Sequence, residues 1–340
     1  MLISPASEYL GAGRFFSVRE VTGFAGKLKF ARRCSMLIKR KVDLGGSHVY
    51  EFFMLLPFLI GFLAFTIYPI LWALRWVLFD YSGFGTPYFV GFDNFARAIF
   101  RDTEFWRSMS NTFYLAFMKL IIEIPLALVI AFLVNNKVKG SSFFRVVYFL
   151  PTVFSMAVIG LIFTILFSAY NGIVNSALVS AGILKENFNF FGQRWSAINV
   201  ILFVSIWSTI GINMIYLLMG LQNVPNELYE CATLDGASAP RQFFSITIPM
   251  LAPVLQMVIM LSVIGTMRIN DVVLVMTNGQ PGGTTEVAMT HILKMFFNFG
   301  AQGMRRQLGY GSALAIIMGI ILAIMTITYL KLSKRMKNVY

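Results

Sequence analysis

The sequence predicts an all-α integral membrane protein with about six membrane-spanning helices. Of its 340 residues, 57% are hydrophobic and only 13% are charged, whereas a soluble protein carries about 25% charged residues. The mean hydropathy is +0.72. A single soluble core stops growing at about 250–300 residues, so it could not hide this much apolar surface. The composition excludes a soluble enzyme, a disordered chain and an ordinary nucleic-acid binder.

Six apolar segments are long enough to cross a membrane, because a helix needs about 20 apolar residues to span the hydrocarbon core. The predicted spans are residues 52–79, 110–134, 144–168, 196–219, 249–276 and 310–331. They are too continuous for barrel strands, whose residues alternate between apolar and polar. Pro125 and Pro151 lie in or beside spans, which transmembrane helices tolerate when neighbouring helices rescue the freed backbone groups.

The charged residues predict the domain organisation and the orientation. Residues 1–50 form a basic N-terminal segment, 51–335 the membrane domain and 336–340 a tail. Lysine and arginine are more frequent in the segments that share a side with the N-terminus, so the positive-inside rule predicts that both termini are cytoplasmic. The N-terminal segment is either a basic amphipathic helix in the membrane interface or a flexible basic tail. The two cysteines and two histidines lack ligand-like neighbours, so no metal site is predicted.

A polar connector between the fourth and fifth spans, residues 223–251, predicts a helix-turn-helix on the inner membrane surface. Asn226 can cap a short helix that begins at Glu227, and Gly236 can end that helix in a left-handed conformation. Ser238 can cap a second helix, with Pro240 in its first turn. The first helix has a small apolar face and several acidic residues, so it can dock in a groove of another protein. The residues of this docking helix are Glu227, Leu228, Glu230, Cys231, Ala232, Leu234 and Asp235.

The same connector resembles the EAA motif of ABC import permeases. The likeness rests on Glu230-Cys231-Ala232, then Gly236 after three residues, and Ile246-x-Ile248-Pro249 after nine more. The run ELYECATLDGA is similar to the carbohydrate branch in particular. The resemblance covers most of residues 50–335 and includes FVGFDNFARAI, VLVMTNGQPGGTTEVA and LGYGSALA. The sequence departs from the family pattern at Cys231, where alanine is usual.

This resemblance implies a type I ABC importer permease fold in a bacterial cytoplasmic (inner) membrane. In that family the element at 226–249 is the coupling helix, which sits in a cleft of a cytoplasmic ATPase, and Glu230 matches the position that pairs with a basic residue of that ATPase. Gly236 matches the turn that shapes the element. The implied partners are a second, related permease subunit in a heterodimer, two ATPase subunits and an extracytoplasmic substrate-binding protein. No GxxxxGK[ST] phosphate loop occurs in the chain, so ATP and magnesium are expected at the partner ATPase, and this chain is expected to bind no cofactor.

Polar residues inside the spans are costly and therefore suggest function. Lys119 and Glu123 are one helical turn apart, so they can form a structural ion pair or contact substrate. Arg268 and Asp271 can also pair. Polar groups beside an aromatic ring suit sugars. The predicted pathway residues are Asn213, Trp207, Lys119, Glu123, Arg268, Asn270 and Asp271.

The loop at 278–285 is either a plain connector or a contact for the binding protein, through Gln280, Gly282, Gly283 and Thr284. The resemblance favours a carbohydrate substrate. The short outer loops of this chain are similar to those of the branch that handles oligosaccharides, including acidic ones such as alginate fragments. The alternatives are a secondary transporter driven by an ion gradient, with Glu123 or Asp271 as the coupling carboxylate, a membrane-embedded enzyme and a structural subunit. The enzyme would need a nucleophile, base or metal motif that the sequence lacks.

Overall fold

A computed structural model describes residues 48–135, 140–297 and 306–337. The basic segment predicted at 1–50 lies almost wholly outside the described residues, as does most of the tail at 336–340. The chain divides into two units, Met1–Ile70 and Leu71–Tyr340. In the first unit, the described residues 48–70 are helical.

Helices make up most of the described chain, which also contains one two-stranded sheet. The sheet pairs β1 (Phe79–Asp80) with β2 (Tyr88–Phe89) in antiparallel register. The helices are α1 (His48–Phe62), α2 (Tyr68–Trp76), α3 (Asp93–Ala96), α4 (Thr103–Asn135), α5 (Ser141–Val153), α6 (Met156–Leu166), α7 (Ile173–Ser180), α8 (Arg194–Gln222), α9 (Asn226–Leu234), α10 (Ala239–Gln242), α11 (Ile248–Met267), α12 (Asp271–Met276), α13 (Ala288–Phe296) and α14 (Leu308–Lys337). Short π-helical turns connect α1 to α2 and α10 to α11 and follow α3; they are Leu63–Ile67, Phe243–Thr247 and Arg97–Arg101.

Five of the six predicted spans are long helices in the described chain. Each is apolar and long enough to cross a membrane. They are Phe52–Trp76, Thr103–Asn135, Arg194–Gln222, Ala239–Met267 and Leu308–Ser333. The prediction of an all-α membrane fold is confirmed, with the third span as the exception.

The third predicted span, 144–168, is wrong as a single helix. The structure has α5 and α6 in its place, bent by 98° at a short break. Pro151 lies in the last turn of α5 and removes a backbone donor, and both Phe154 and Ser155 are extended. The hydropathy of the segment conceals this break because every residue around it is apolar or small.

The fifth span is displaced from its predicted bounds of 249–276. The helix is continuous from Ala239 to Met267, so the second surface helix predicted after Ser238 is instead the first part of the span. At the other end Asn270 leaves the helical region with φ −146° and ψ −51°, and a separate helix α12 begins at Asp271. Arg268, Asn270 and Asp271 therefore lie at a break and not within a span.

The apolar core lies where α4 and α8 pack side by side with α6, α11 and α12 against them. Residue numbers rise in the same direction along α4 and α8, because Tyr114 bonds Asn199 and, further along both helices, Lys119 bonds Ser205. The two helices therefore run parallel, as alternate spans of one chain must. The core includes side chains from every one of these helices, among them Leu115, Ile159, Met214, Leu251 and Val273. A second apolar cluster joins the start of α4 to α13 and α14.

Helix α5 comes close to α8 at Gly211. A Cβ atom at Gly211 would lie 2.0 Å from the carbonyl oxygen of Tyr148, so no side chain fits. At the same crossing the Thr152 hydroxyl donates to the Ser208 carbonyl at 3.1 Å. The position of α5 therefore requires a glycine at position 211 of α8.

We expect Gly211→Ala to lower the thermal midpoint of the detergent-solubilised protein by several degrees, because overpacking a filled core costs about 1–3 kcal/mol. The matched control is Gly319→Ala on α14, where a new Cβ meets no atom within 4 Å. Differential scanning fluorimetry of both variants measures the effect. Equal midpoints would contradict the close crossing of α5 and α8.

Candidate functional site

A cavity of about 430 Å³ opens between α4, α8 and α11, next to the break that precedes α12, and its mainly apolar wall carries several polar groups. Its walls come from spans distant in sequence, and it collects five of the seven predicted pathway residues. These five are Lys119, Asn213, Arg268, Asn270 and Asp271. Serine and threonine hydroxyls from α8 and α11 complete the polar part of the wall, through Ser205, Thr209, Ser262 and Thr266.

A buried ion pair lies at the wall of this cavity. Lys119 Nζ is 3.9 Å from Glu123 Oε2, and the two side chains are 6% and 0% exposed. The ammonium group also donates to Ser205 Oγ at 3.0 Å. Lys119 reaches the cavity, whereas Glu123 lies behind the wall. The structure therefore contains the ion pair that the helical spacing allowed, and Glu123 does not face the cavity.

Glu123 binds hydroxyl groups of two further helices. Its Oε1 accepts from Thr209 Oγ1 of α8 at 2.5 Å, and its Oε2 accepts from Ser262 Oγ of α11 at 3.0 Å. One carboxylate on α4 therefore bonds both neighbours. Sequence analysis missed Ser262, since a single serine in an apolar helix is more often a packing residue.

The rim of the cavity carries polar groups that the sequence placed inside a span. Arg268 and Asp271 are both exposed, and no ion pair joins these two described residues, so the pairing that their spacing allows is not formed. Asn213 is buried in the wall. Trp207 lies outside the cavity lining and packs against Phe163, with ring centroids 5.2 Å apart.

The connector after α8 folds as α9 followed by a turn into α10. Pro225 occupies the N-cap position and Asn226 is already helical, with no side-chain cap, so the predicted Asn226 cap is wrong. Gly236 has φ +77° as expected. The amide of Ala237 bonds the Ala232 carbonyl at 2.8 Å, and that of Gly236 bonds the Thr233 carbonyl at 3.0 Å, which together form a Schellman motif.

Side-chain bonds fix α9 to the start of the span helix that follows. Tyr229 and Thr247 share a hydroxyl–hydroxyl bond of 2.9 Å. Gln242 Nε2 donates to Thr233 Oγ1 and to the Ala237 carbonyl, both at 3.0 Å. This face of α9 is occupied, so the opposite face is the one left free.

That opposite face is exposed and combines apolar and acidic side chains. Leu234 is 87% exposed and Leu228 is 40% exposed. The other exposed residues of the predicted docking set are Glu227, Glu230, Cys231, Asp235 and Gly236, while Ala232 is half-buried. An exposed leucine beside carboxylates on a rigid short helix suits a basic, apolar groove in another protein.

The loop at 278–285 lies at the N-terminal ends of α4 and α8, where side chains of both helices hold it through hydrogen bonds. Asn111 Nδ2 donates to the carbonyls of Thr284 and Glu286 at 2.8 and 2.7 Å, and Arg194 donates to Asn111 Oδ1 at 2.7 Å. Gln280 and Gly282 at the tip are exposed, whereas Gly283 and Thr284 are half-buried. Sequence analysis missed Asn111, because its partners, two main-chain carbonyls and Arg194, all lie far along the chain.

Next to this loop is a buried ionic cluster centred on His291. His291 Nδ1 is 3.0 Å from Glu286 Oε2 and Nε2 is 3.4 Å from Asp102 Oδ2. Lys294 donates to Glu286 and Tyr310 donates to Asp102, both at 2.5 Å. The cluster joins α13 to the chain entering α4 and to the start of α14.

Contacts within the cluster favour the charged forms of His291, Glu286 and Asp102. Burial lowers the pKa of His291, but the carboxylates of Asp102 and Glu286 outweigh burial and raise that pKa to about 9. Burial raises the pKa of Glu286, but bonds to His291 and Lys294 outweigh it and hold that pKa below its usual value. The pKa of Asp102 is likewise held low, against burial, by His291 and Tyr310.

A bundle of apolar helices around a cavity with polar groups in its wall, with a short exposed helix at one end, is typical of a subunit of a membrane transport system. Residues 123–338 match the family described as the inner-membrane component of binding-protein-dependent transport systems. The chain belongs to this family.

Two curated relatives and one solved structure illustrate the family. The chain is 32% identical to the arabinooligosaccharides transport system permease protein AraP of Bacillus subtilis, over 83% of this chain and 88% of that protein. It is also 32% identical to the trehalose/maltose transport system permease protein MalF of Thermococcus litoralis, over 83% and 93% of the two chains. A chain of a bacterial alginate ABC transporter, solved with an alginate pentasaccharide-bound periplasmic protein, is similar in fold. Its TM-score is 0.71 and its identity 23%, over 84% of this chain and 94% of that chain.

Proposed function

We propose that this protein is the permease subunit of an ATP-driven importer that moves an oligosaccharide across a bacterial inner membrane. The single observation that carries the proposal is the cavity between α4, α8 and α11, whose wall carries charged, amide and hydroxyl side chains in the midst of apolar spans. Two of its helices, α8 and α11, also flank the exposed helix α9. The relatives AraP and MalF, named for arabinooligosaccharides and trehalose/maltose transport, support the carbohydrate assignment.

In this proposal the exposed face of α9 is the coupling surface for a partner ATPase. The partner binds ATP and magnesium, and this chain binds no cofactor. Glu227, Glu230 and Asp235 offer the negative charges to that partner. The end of the bundle with α9 then faces the cytoplasm, and the charge distribution of the sequence predicts that both chain termini are cytoplasmic too. A second, related permease completes the pathway, and two ATPase subunits drive it.

The opposite end of the bundle then faces the extracytoplasmic binding protein. Gln280 and Gly282 are exposed at the tip of the loop that Asn111 holds, which makes them available to a docking protein. The solved relative with a periplasmic protein is consistent with a partner on that side.

The cavity suits a hydroxylated ligand, since amide, hydroxyl and charged groups line it. Its cations Lys119 and Arg268 are balanced by Asp271 and by Glu123 behind the wall. This balance gives no electrostatic preference for an acidic over a neutral oligosaccharide. Alginate fragments therefore stay a prediction from the sequence alone.

The proposal is tested by isolating the tagged chain from native membranes with its partners and reconstituting the complex in liposomes. We expect an ATPase to co-purify and one sugar-loaded binding protein to stimulate ATP hydrolysis and uptake. Neutral and acidic oligosaccharides are compared as loads. A chain that lacks an ATPase and drives uptake from an ion gradient would overturn the proposal in favour of a secondary transporter.

A further inference from the structure

We propose that Glu123 is a positioning residue that links the docking helix α9 to the cavity. It does so by fastening α8 and α11, the two helices that hold α9, to α4. The inference rests on the proposed transport function and assigns to Glu123 a role other than substrate contact. Glu123 is fully buried and absent from the cavity wall.

The first step is that short, hydrogen-bonded connections join α9 to α8 on one side and to the helix that leads into α11 on the other. Its N-terminal connection to α8 is three residues long, and backbone bonds of Asn223 and Val224 to Gly220 and Leu221 tighten it. Its C-terminal connection is the Schellman turn at Gly236, braced by the bond between Tyr229 and Thr247. A displacement of α9 therefore moves α8 and α11 together.

The second step is that these two helices place a hydroxyl on the same carboxylate. Thr209 lies about 20 Å along α8 from α9, at 1.5 Å rise per residue, and Ser262 lies near the far end of α11. Their bonds to the two oxygens of Glu123 measure 2.5 and 3.0 Å. The relative positions of α8 and α11 at the depth of the cavity are thus set by one side chain of α4.

The third step concerns the cavity itself. Thr209, Ser262 and the counter-ion Lys119 line it, so the three groups bound to Glu123 are also the groups that a sugar hydroxyl would meet. A buried charge is costly, and a well-packed apolar pair of similar volume often replaces a buried ion pair without loss of stability. Packing alone gives no reason for a carboxylate here, whereas a carboxylate can hold two hydroxyls and release either one.

The experiment removes the two bonds to Glu123 and keeps the ion pair. It also removes the contact of Thr209 Oγ1 with the Ser205 carbonyl at 2.9 Å, a bond within one helix like those that the control loses. Thr209→Val with Ser262→Ala is compared with Thr164→Val with Ser312→Ala, whose hydroxyls bond only carbonyls of their own helices. Each complex is reconstituted with its ATPase and loaded binding protein. Co-purification of the ATPase, basal hydrolysis and sugar transported per ATP are measured.

We expect the test variant to retain its ATPase but to transport at least about tenfold less sugar per ATP. Each hydrogen bond to a charged group corresponds to about tenfold or more in an equilibrium. The control variant should match the wild type. A second variant, Lys119→Met with Glu123→Leu, removes both charges and fills the same space with apolar side chains of similar volume. It should show the same loss, and it carries the test if the first variant does not fold.

Two different failures can be told apart. Wild-type transport per ATP in both test variants would overturn the role of Glu123 and leave the importer function intact. A wild-type complex that shows no sugar-stimulated hydrolysis with any loaded binding protein would overturn the transport function, and the role of Glu123 with it.

Discussion

Replacing Glu230 with lysine is expected to abolish sugar-stimulated ATP hydrolysis and uptake while the spans remain folded. Glu230 is exposed on the free face of α9, so the change removes no internal contact. Placing a like charge opposite a basic site of the partner costs several kcal/mol. Since each 1.4 kcal/mol is tenfold, we expect ATPase association to weaken by at least about a hundredfold, as measured by co-purification and by titration of the ATPase into reconstituted permease.

The matched control for this change is Glu186→Lys. Glu186 is exposed in the segment between α7 and α8, at the end of α8 opposite to α9, so the same change in net charge occurs far from the proposed coupling surface. This control should assemble and hydrolyse ATP like the wild type. Normal coupling in Glu230→Lys, at normal expression, would remove α9 as the docking element.

Replacing His291 with glutamine is expected to lower the thermal midpoint and to flatten its dependence on pH. The folded pKa of His291, about 9, lies above the ordinary value of 6.5, so the protonated ring stabilises the fold. This contribution is fully present below pH 6.5 and is lost as the pH rises through 9. At ~1.4 kcal/mol for each pH unit between the two values, it amounts to about 3 kcal/mol.

The carboxylates of the cluster act in the opposite direction. The pKa of Glu286 is held below its ordinary 4.5, so its contribution is present above that pH and is lost as the pH falls. The wild type should therefore be most stable between about pH 4.5 and 6.5, with a thermal midpoint that declines as the pH rises through 9. The variant His48→Gln, which changes the other of the two histidines, should keep this decline. A decline of equal size in His291→Gln would show that another group causes it.

The sequence predicted those parts of the fold that depend on local pattern. Apolar length was enough for the helices Thr103–Asn135 and Arg194–Gln222, because lipid demands a continuous apolar surface. The left-handed turn at Gly236 was predictable because few other residues adopt φ +77° at low cost. The break at Phe154–Ser155 was not predictable, since its cause is the close packing of α5 on Gly211 as much as Pro151.

The candidate site was predictable only as a set of residue types. Lys119, Arg268 and Asp271 drew attention because charges are rare in spans, and the cavity collects all three. Ser262 and Asn111 gave no such signal, because a hydroxyl or an amide in a helix becomes informative only once its distant partner is known. The direction of Trp207, which packs on Phe163 away from the cavity, also depends on tertiary packing.

The helix from Ala239 to Met267 has a mechanical consequence beyond its contacts. Its 29 residues make a rod about 43 Å long, whereas the hydrocarbon core is about 30 Å thick. Under the proposed function, such a rod acts as a lever, with about 30 Å of its length in the hydrocarbon core and a shorter arm in the cytoplasm. A tilt of about 10° about the membrane surface moves the cavity end of the ~30 Å arm by roughly 5 Å. A small angular movement of an ATPase below the membrane would be amplified into a displacement about as large as a sugar ring at the mouth of the cavity.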